Sequence, residues 1–135
     1  MAKTRAYIDA SLLIAAWRGR DEVGIKAMAV LDDPGRALVL SDAVWLEVMP
    51  KPLYQKEPLE SRFYLAVFAQ AERVAWQIDA LYQAHALAQR YGIAALDAIH
   101  IAMAISAGAD EFVSAEKPSK PLFRVTEILT RSIRE

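Results

Sequence analysis

The sequence predicts an α/β fold in which helices cover both faces of a central, mainly parallel sheet. Three observations carry that expectation. Short apolar runs at Ala6-Tyr7-Ile8, Ala37 to Leu40 and Glu111 to Ser114 have the length of buried strands. They are separated by stretches with helical spacing, and a strand–helix–strand unit pairs its strands in parallel. The 135 residues are 55% hydrophobic, with five glycines, six prolines and no biased stretch, which suits one domain over residues 1–135 built on one core.

Ala6-Tyr7-Ile8 opens the sheet. Ser11 to Trp17 then reads as a helix ended at Arg18-Gly19, which sets Asp9 at a strand-to-helix junction. Asp21 to Leu31 carries Val23, Ala27, Val30 and Leu31 on one side, and Asp33-Pro34-Gly35 closes that helix in a turn. Ala37 to Leu40 follows as a strand. Ser41 or Asp42 can cap the next short helix, which carries Glu47 and is expected to stop after Met49 at Pro50 and Pro52. Pro58 to Glu72 repeats Leu59, Phe63, Val67 and Ala71 at four-residue spacing, and Val74-Ala75-Trp76 is a short third strand. Asp79 opens a helix that Gly92 ends after Tyr91, and residues 94–107 form an apolar helix ended by Gly108. After the strand at Glu111 to Ser114, Phe123-Arg124-Val125 is expected as a last strand. Thr126 is then placed to cap a closing helix with Ile128, Leu129 and Ile133.

Sixteen basic residues against seventeen acidic ones argue against holding nucleic acid by bulk positive charge, so such binding needs a local patch or a metal. The absence of cysteine removes disulfides, thiolate metal sites and cysteine nucleophiles, and suits a reducing compartment. Two histidines, His85 and His100, are too few for a histidine-rich metal site. Lys3 and Arg5 precede the apolar run Ala10 to Ala16, but Asp9 interrupts any signal-like segment, and no apolar stretch has membrane-spanning length. The expectation is a soluble, cytoplasmic protein.

The chemistry is carried by acids in apolar company. Ala94 to Ile105 is apolar all round apart from Asp97 and His100, so the helix is expected to be buried, with Asp97 in its middle and shielded from water. An unpaired carboxylate there costs several kcal/mol by rough estimate unless a partner or metal compensates it. Glu47 is the only polar residue between Ala43 and Met49, and Asp9 stands between Tyr7-Ile8 and Ala10. Three such acids near carboxyl ends of strands, where open parallel sheets bind ligands, are most simply explained as one cluster. Without cysteine or paired histidines the cluster suits hard cations, Mg²⁺ or Mn²⁺, and hence phosphodiester hydrolysis. The plainer alternatives are a helix cap for Asp9, a solvated position for Glu47 and a buried ion pair for Asp97. His100, one turn from Asp97, either orients a carboxylate or water or is a satisfied core histidine. Asp79, Asp42 and Asp110 read as cap and turn residues.

In order along the chain, Tyr7-Ile8-Asp9-Ala10-Ser11, Ser41-Asp42-Ala43-Val44-Trp45-Leu46-Glu47, Leu96-Asp97-Ala98-Ile99-His100-Ile101-Ala102 and Gly108 to Lys117 resemble the acid-bearing segments of the PIN-domain family. That family includes the toxin ribonucleases of VapBC-type toxin–antitoxin pairs. The resemblance covers nearly the whole chain and implies a three-layer α/β/α sandwich. It implies catalytic, metal-binding roles for Asp9, Glu47, Asp97 and Glu116, the last standing where many members have Asp. It also implies an Mg²⁺- or Mn²⁺-dependent endoribonuclease that leaves a 5′-phosphate and a 3′-hydroxyl, with Ser11 and Ser114 toward the RNA substrate or metal water, the plainer alternative for both being a bond to nearby backbone. Lys117, after the fourth acid, is one of several basic residues that follow the acid-bearing segments and are candidates to line a phosphate path. A cognate antitoxin and a homodimer are the implied partners. Trp45, Leu46, Val48, Met49 and Leu53 offer an apolar set for association. Two rival readings are a housekeeping PIN nuclease and a non-catalytic domain that binds RNA or protein. A covalent phosphoaspartate chemistry at Asp9 fits less well, because Ser11 stands where haloacid-dehalogenase-like enzymes carry a second Asp.

Overall fold

In a computed structural model, which describes residues 2–135, five parallel strands form one sheet in the order β3-β2-β1-β4-β5. The strands are β1 (Thr4–Ile8), β2 (Arg36–Ser41), β3 (Glu72–Val74), β4 (Glu111–Ser114) and β5 (Leu129–Ser132). Between β1 and β2 run helices α1 (Ala10–Arg18) and α2 (Glu22–Leu31). Between β2 and β3 run α3 (Asp42–Val48), α4 (Pro50–Tyr54) and α5 (Pro58–Gln70), and α6 (Ile78–Tyr91) and α7 (Ala95–Ser106) lead to β4.

The chain first winds from β1 outward to β3, then returns across the sheet to β4 and β5. Right-handed crossovers therefore put α1, α2 and α5 on one face and α6 and α7 on the other. The packing agrees, since α1 touches α2 and α5, while α6 lies on α7. Winding reverses between β1 and β4, so their carboxyl ends flank the crevice where such sheets take ligands. Register there is tight: Ile8 pairs with Val113, and the Asp9 amide donates to Val113 O at 3.3 Å.

The core strands are the continuous apolar runs predicted for buried parallel strands. Tyr7, Ile8, Val39, Leu40, Phe112 and Val113 are essentially without solvent contact. Tyr7 and Phe112, paired in register, stack on the α7 face with ring centroids 5.5 Å apart. On the other face Gly19, at φ +56°, turns the chain from α1 into α2. Gly24 packs so closely on it that a Cβ there would lie 2.6 Å from Gly19 Cα.

Several local expectations are corrected. α3 ends at Val48, just before Pro50, as expected, but Pro50 also opens a further short helix, α4, that was not expected, because proline loses nothing in a first turn whose amides lack partners. The third strand lies at Glu72–Val74 rather than at Val74-Ala75-Trp76, and α5 ends at Gln70, because pairing with Val39 to Ser41 sets the register. Ser41 caps α3 through Val44 N, whereas Asp42 accepts from Arg73 and from Trp76 N. Asp79 is not the cap of α6 but lies exposed in its first turn, after Gln77.

The end of the chain differs most. Phe123 and Arg124 belong to a 3-10 turn, Pro121–Arg124, and the expected closing helix is β5, paired with β4 from Glu111↔Leu129 to Ser114↔Ser132. Thr126 does not cap a helix; its hydroxyl meets Tyr91 and Glu127. An open strand edge of β4 recruits this segment against its helical spacing. Of the apolar set expected for association, Val48 and Met49 are buried and Trp45 packs edge-on against Phe68, leaving Leu46 and Leu53 exposed. Among the described residues no helix is long and apolar enough to cross a membrane.

Candidate functional site

Asp9 follows the last residue of β1 and is buried, with 5% exposure. Its Oδ1 caps α1 by accepting from Leu12 N at 3.1 Å and also accepts from Ser11 Oγ at 2.7 Å. The cap and the site are therefore one residue in two roles, since Oδ2 makes none of these bonds. Burial pushes the Asp9 carboxyl upward, against the stabilising hydroxyls of Ser114 and Ser11, the charge of His100 and the Leu12 amide.

Ser11 and Ser114 tie the ends of β1 and β4 together. Ser11 Oγ accepts from Ala115 N at 3.1 Å and lies 3.2 Å from Ser114 Oγ, which in turn accepts from Glu116 N at 3.0 Å. Ser114 is fully buried, whereas Ser11 reaches the cavity wall. Lys117 is exposed on the loop after β4.

Asp97 stands in the first turn of α7 and not in its middle, because the helix begins only at Ala95. The apolar character of residues 94–105 marked the helix as buried without telling where its exposed end lay. The Asp97 side chain is 23% exposed, and its Oδ2 lies 3.9 Å from Lys120 Nζ, which is also 3.8 Å from Glu116 Oε2. Burial raises the Asp97 carboxyl, Lys120 opposes this, and Glu116 and Glu47 add to it as like charges.

Glu47 is partly exposed, its side chain 30% so, and it accepts a hydrogen bond from His100 Nε2. The other ring nitrogen, Nδ1, lies 2.8 Å from the Tyr7 hydroxyl, itself 2.6 Å from Ser41 Oγ. Burial raises the Tyr7 phenol far above its ordinary range, so it stays protonated. Only one link of this line was legible: His100 could be read as orienting a carboxylate, but Tyr7 looked like any core strand residue, and nothing along the sequence links positions 7, 41, 47 and 100.

Asp9, Glu47, Asp97 and Glu116 line one cavity of about 200 Å³ at the carboxyl edge of the sheet. They come from four segments that only the fold brings together. A larger cleft of about 630 Å³ lies at the amino edge, where most of the charged side chains pair with each other, Arg5 with Glu72 and Arg36 with Asp33. With the side chains as they stand, no three acid or imidazole groups among the described residues converge as a ready metal cage. Lys120 lies between two of the acids, and His100 engages one oxygen of Glu47, Oε1, while Oε2 has no hydrogen-bond partner among the described residues.

The PIN-domain family model matches residues 6–117, a span that contains all four acids. The chain belongs to the PIN-domain family. No curated protein sequence matches it. Its PIN fold is shared with VapBC2 from Rickettsia felis bound to a DNA fragment from their promoter, at TM-score 0.72 and 12% identity, covering 96% of this chain and 98% of that one. A toxin–antitoxin complex from Klebsiella pneumoniae superposes at TM-score 0.70 and 24% identity, covering 92% and 98%. The sarcin–ricin loop cleaving toxin VapC20 of Mycobacterium tuberculosis does so at TM-score 0.66 and 14% identity, covering 91% and 98%. At these identities the likeness of this PIN domain to the three structures is one of fold.

Proposed function

We propose that this single PIN domain is an Mg²⁺- or Mn²⁺-dependent endoribonuclease and the toxin of a toxin–antitoxin pair. The observation that carries the reading is the convergence of Asp9, Glu47, Asp97 and Glu116 on one small cavity at the crevice between β1 and β4. The donor set fits a hard divalent cation: all four are carboxylates, no thiol competes, and Asp9 and Asp97 are pushed toward protonation in the metal-free state, so a cation relieves burial and repulsion together. Such an ion, when bound, supplies the Lewis acidity for in-line hydrolysis of a phosphodiester to a 5′-phosphate and a 3′-hydroxyl.

The chain's own residues do the rest. Asp9 is held rigidly by the α1 cap, and Ser11 and Ser114 lock the two strand ends so that Asp9 and Glu116 keep their spacing. Ser11 at the cavity wall, and exposed Lys117 next to Glu116 in the chain, support contacts to RNA from this cavity. The similar folds of toxin–antitoxin complexes support an antitoxin partner, and Leu46 and Leu53, with Tyr54 beside them, give it an apolar surface. A homodimer and a cytoplasmic location accompany this reading.

The test is cleavage of RNA by purified protein. Activity is expected with Mg²⁺ or Mn²⁺, none in EDTA, and none from Asp9→Asn prepared in parallel. Cleavage that persists in EDTA removes the metal mechanism, and RNA binding without cleavage favours a non-catalytic domain. Expression in a host is expected to slow growth, with relief by co-expression of the adjacent gene. An active enzyme that shows neither effect is a housekeeping nuclease.

A further inference from the structure

His100 is buried, 3% exposed, on the face of α7 that packs against the sheet, one turn beyond Asp97. Both ring nitrogens are engaged, Nδ1 with the Tyr7 hydroxyl at 2.8 Å and Nε2 with Glu47 Oε1. Tyr7 is held in turn by Ser41, the residue that caps α3, and α3 carries Glu47. The four side chains form a line from Ser41 at the end of β2 through Tyr7 on β1 and His100 on α7 to Glu47 on α3, and the Ser41 cap of α3 connects its two ends. A histidine needing only satisfaction in a core can find that from a backbone carbonyl. This one reaches out of the core to Glu47, the cavity acid that among the described residues has no other hydrogen-bond or ion-pair partner.

We propose that His100 is a positioning residue for the second acid: it orients Glu47 toward the metal site, and Tyr7 and Ser41 fix the ring that does so. The inference rests on the metal-binding reading above. Glu47 sits on a short helix and extends from a partly exposed position, so without a fixed partner its flexible side chain samples many rotamers. Tyr7 can donate to a neutral ring or accept from a charged one. In both cases Nε2–H is directed at Glu47, so the positioning does not depend on the ring's charge. Groups that hydrogen-bond to metal ligands typically govern affinity by about 10- to 100-fold.

The experiment is calorimetric titration of the full chain with Mn²⁺ in the absence of RNA, beside melting curves of the metal-free proteins. His100→Leu, which removes the donor, is expected to weaken Mn²⁺ binding by about 10- to 100-fold. His100→Gln, whose amide N–H falls near Nε2, is expected to recover most of that loss. Tyr7→Phe keeps the ring but frees it, and is expected to weaken binding by a smaller factor. Binding by folded His100→Leu equal to the parent's overturns the proposal, as does an equal loss in the Leu and Gln variants. If His100→Leu does not fold, parent-like binding by Tyr7→Phe overturns it. A parent that binds no Mn²⁺ overturns the metal reading and this one together, whereas a binding parent with an unaffected His100→Leu overturns only the role of His100.

Discussion

Asp97 is held between burial, which favours its protonated form, and Lys120, which favours the carboxylate, with Glu116 adding repulsion. Its folded pKa is raised above the ordinary value of 3.8, so the stability it contributes is full below that value and is lost as pH rises through the raised one. Asp97→Asn removes this loss. The variant's melting temperature in the absence of metal is therefore expected to be no lower than the parent's near neutral pH, with the difference shrinking as pH falls toward 4. A variant that melts markedly lower at neutral pH identifies Asp97 as a structural partner of Lys120 instead. RNA cleavage by Asp97→Asn is expected to fall at least about a hundredfold, or roughly 2.7 kcal/mol of transition-state stabilisation. Added Mn²⁺ should raise the parent's melting temperature more than the variant's, because a ligand of the folded state stabilises it by mass action. The acids were legible because an Asp or Glu in an apolar run is conspicuous. Their companions were not: Lys120 reads as one more surface lysine, and Tyr7 as one more core aromatic.

The α1–α2 hairpin turns on two glycines whose backbones touch. Gly24→Ala forces a methyl group against the Gly19 backbone, which has no flexible side chain to yield. Urea unfolding is expected to show a loss of about 1–3 kcal/mol. A loss below about 0.5 kcal/mol means that the two helices can separate freely. Because Asp9 caps α1, the same variant is expected to leave the site's geometry intact only if α1 stays in place, so its Mn²⁺ affinity reports on that. Periodicity located most helices to within a residue or two, and Asp9 and Ser41 were among the caps offered by their own chemistry, whereas the Asp21 cap was not singled out. It missed the short helix that Pro50 opens just after stopping α3, and it failed at Leu129–Ser132, where spacing alone favoured a helix.

At the amino edge of the sheet, buried Glu111 on β4 accepts from Arg36 Nε at 3.1 Å and from Arg131 Nε at 2.7 Å. These ties reach from β2 across β1 to β5, on the edge opposite the acids, so they brace the sheet without entering the site. Removing both arginines strands a buried carboxylate. Arg36→Ala/Arg131→Ala is expected to cost about 3–5 kcal/mol of stability. Arg131→Ala alone is expected to cost less, since Arg36 remains as a partner. A double variant as stable as the parent shows that Glu111 is rehydrated or protonated at little cost. The parallel sheet and the choice of Asp9, Glu47 and Asp97 as candidate acids rest on local information: run length, spacing of apolar residues and the cost of a carboxylate among them; Glu116, outside any apolar run, was marked only by the family resemblance. The meeting of the four acids is not local. It depends on the reversal of winding between β1 and β4, on the strand pairing that turned residues 129–132 from a helix pattern into an edge strand, and on distances between residues as far apart as Tyr7 and His100. Such contacts leave no trace in spacing along the chain, because any polar residue of suitable reach at those positions would look the same until the fold brings it to its partner.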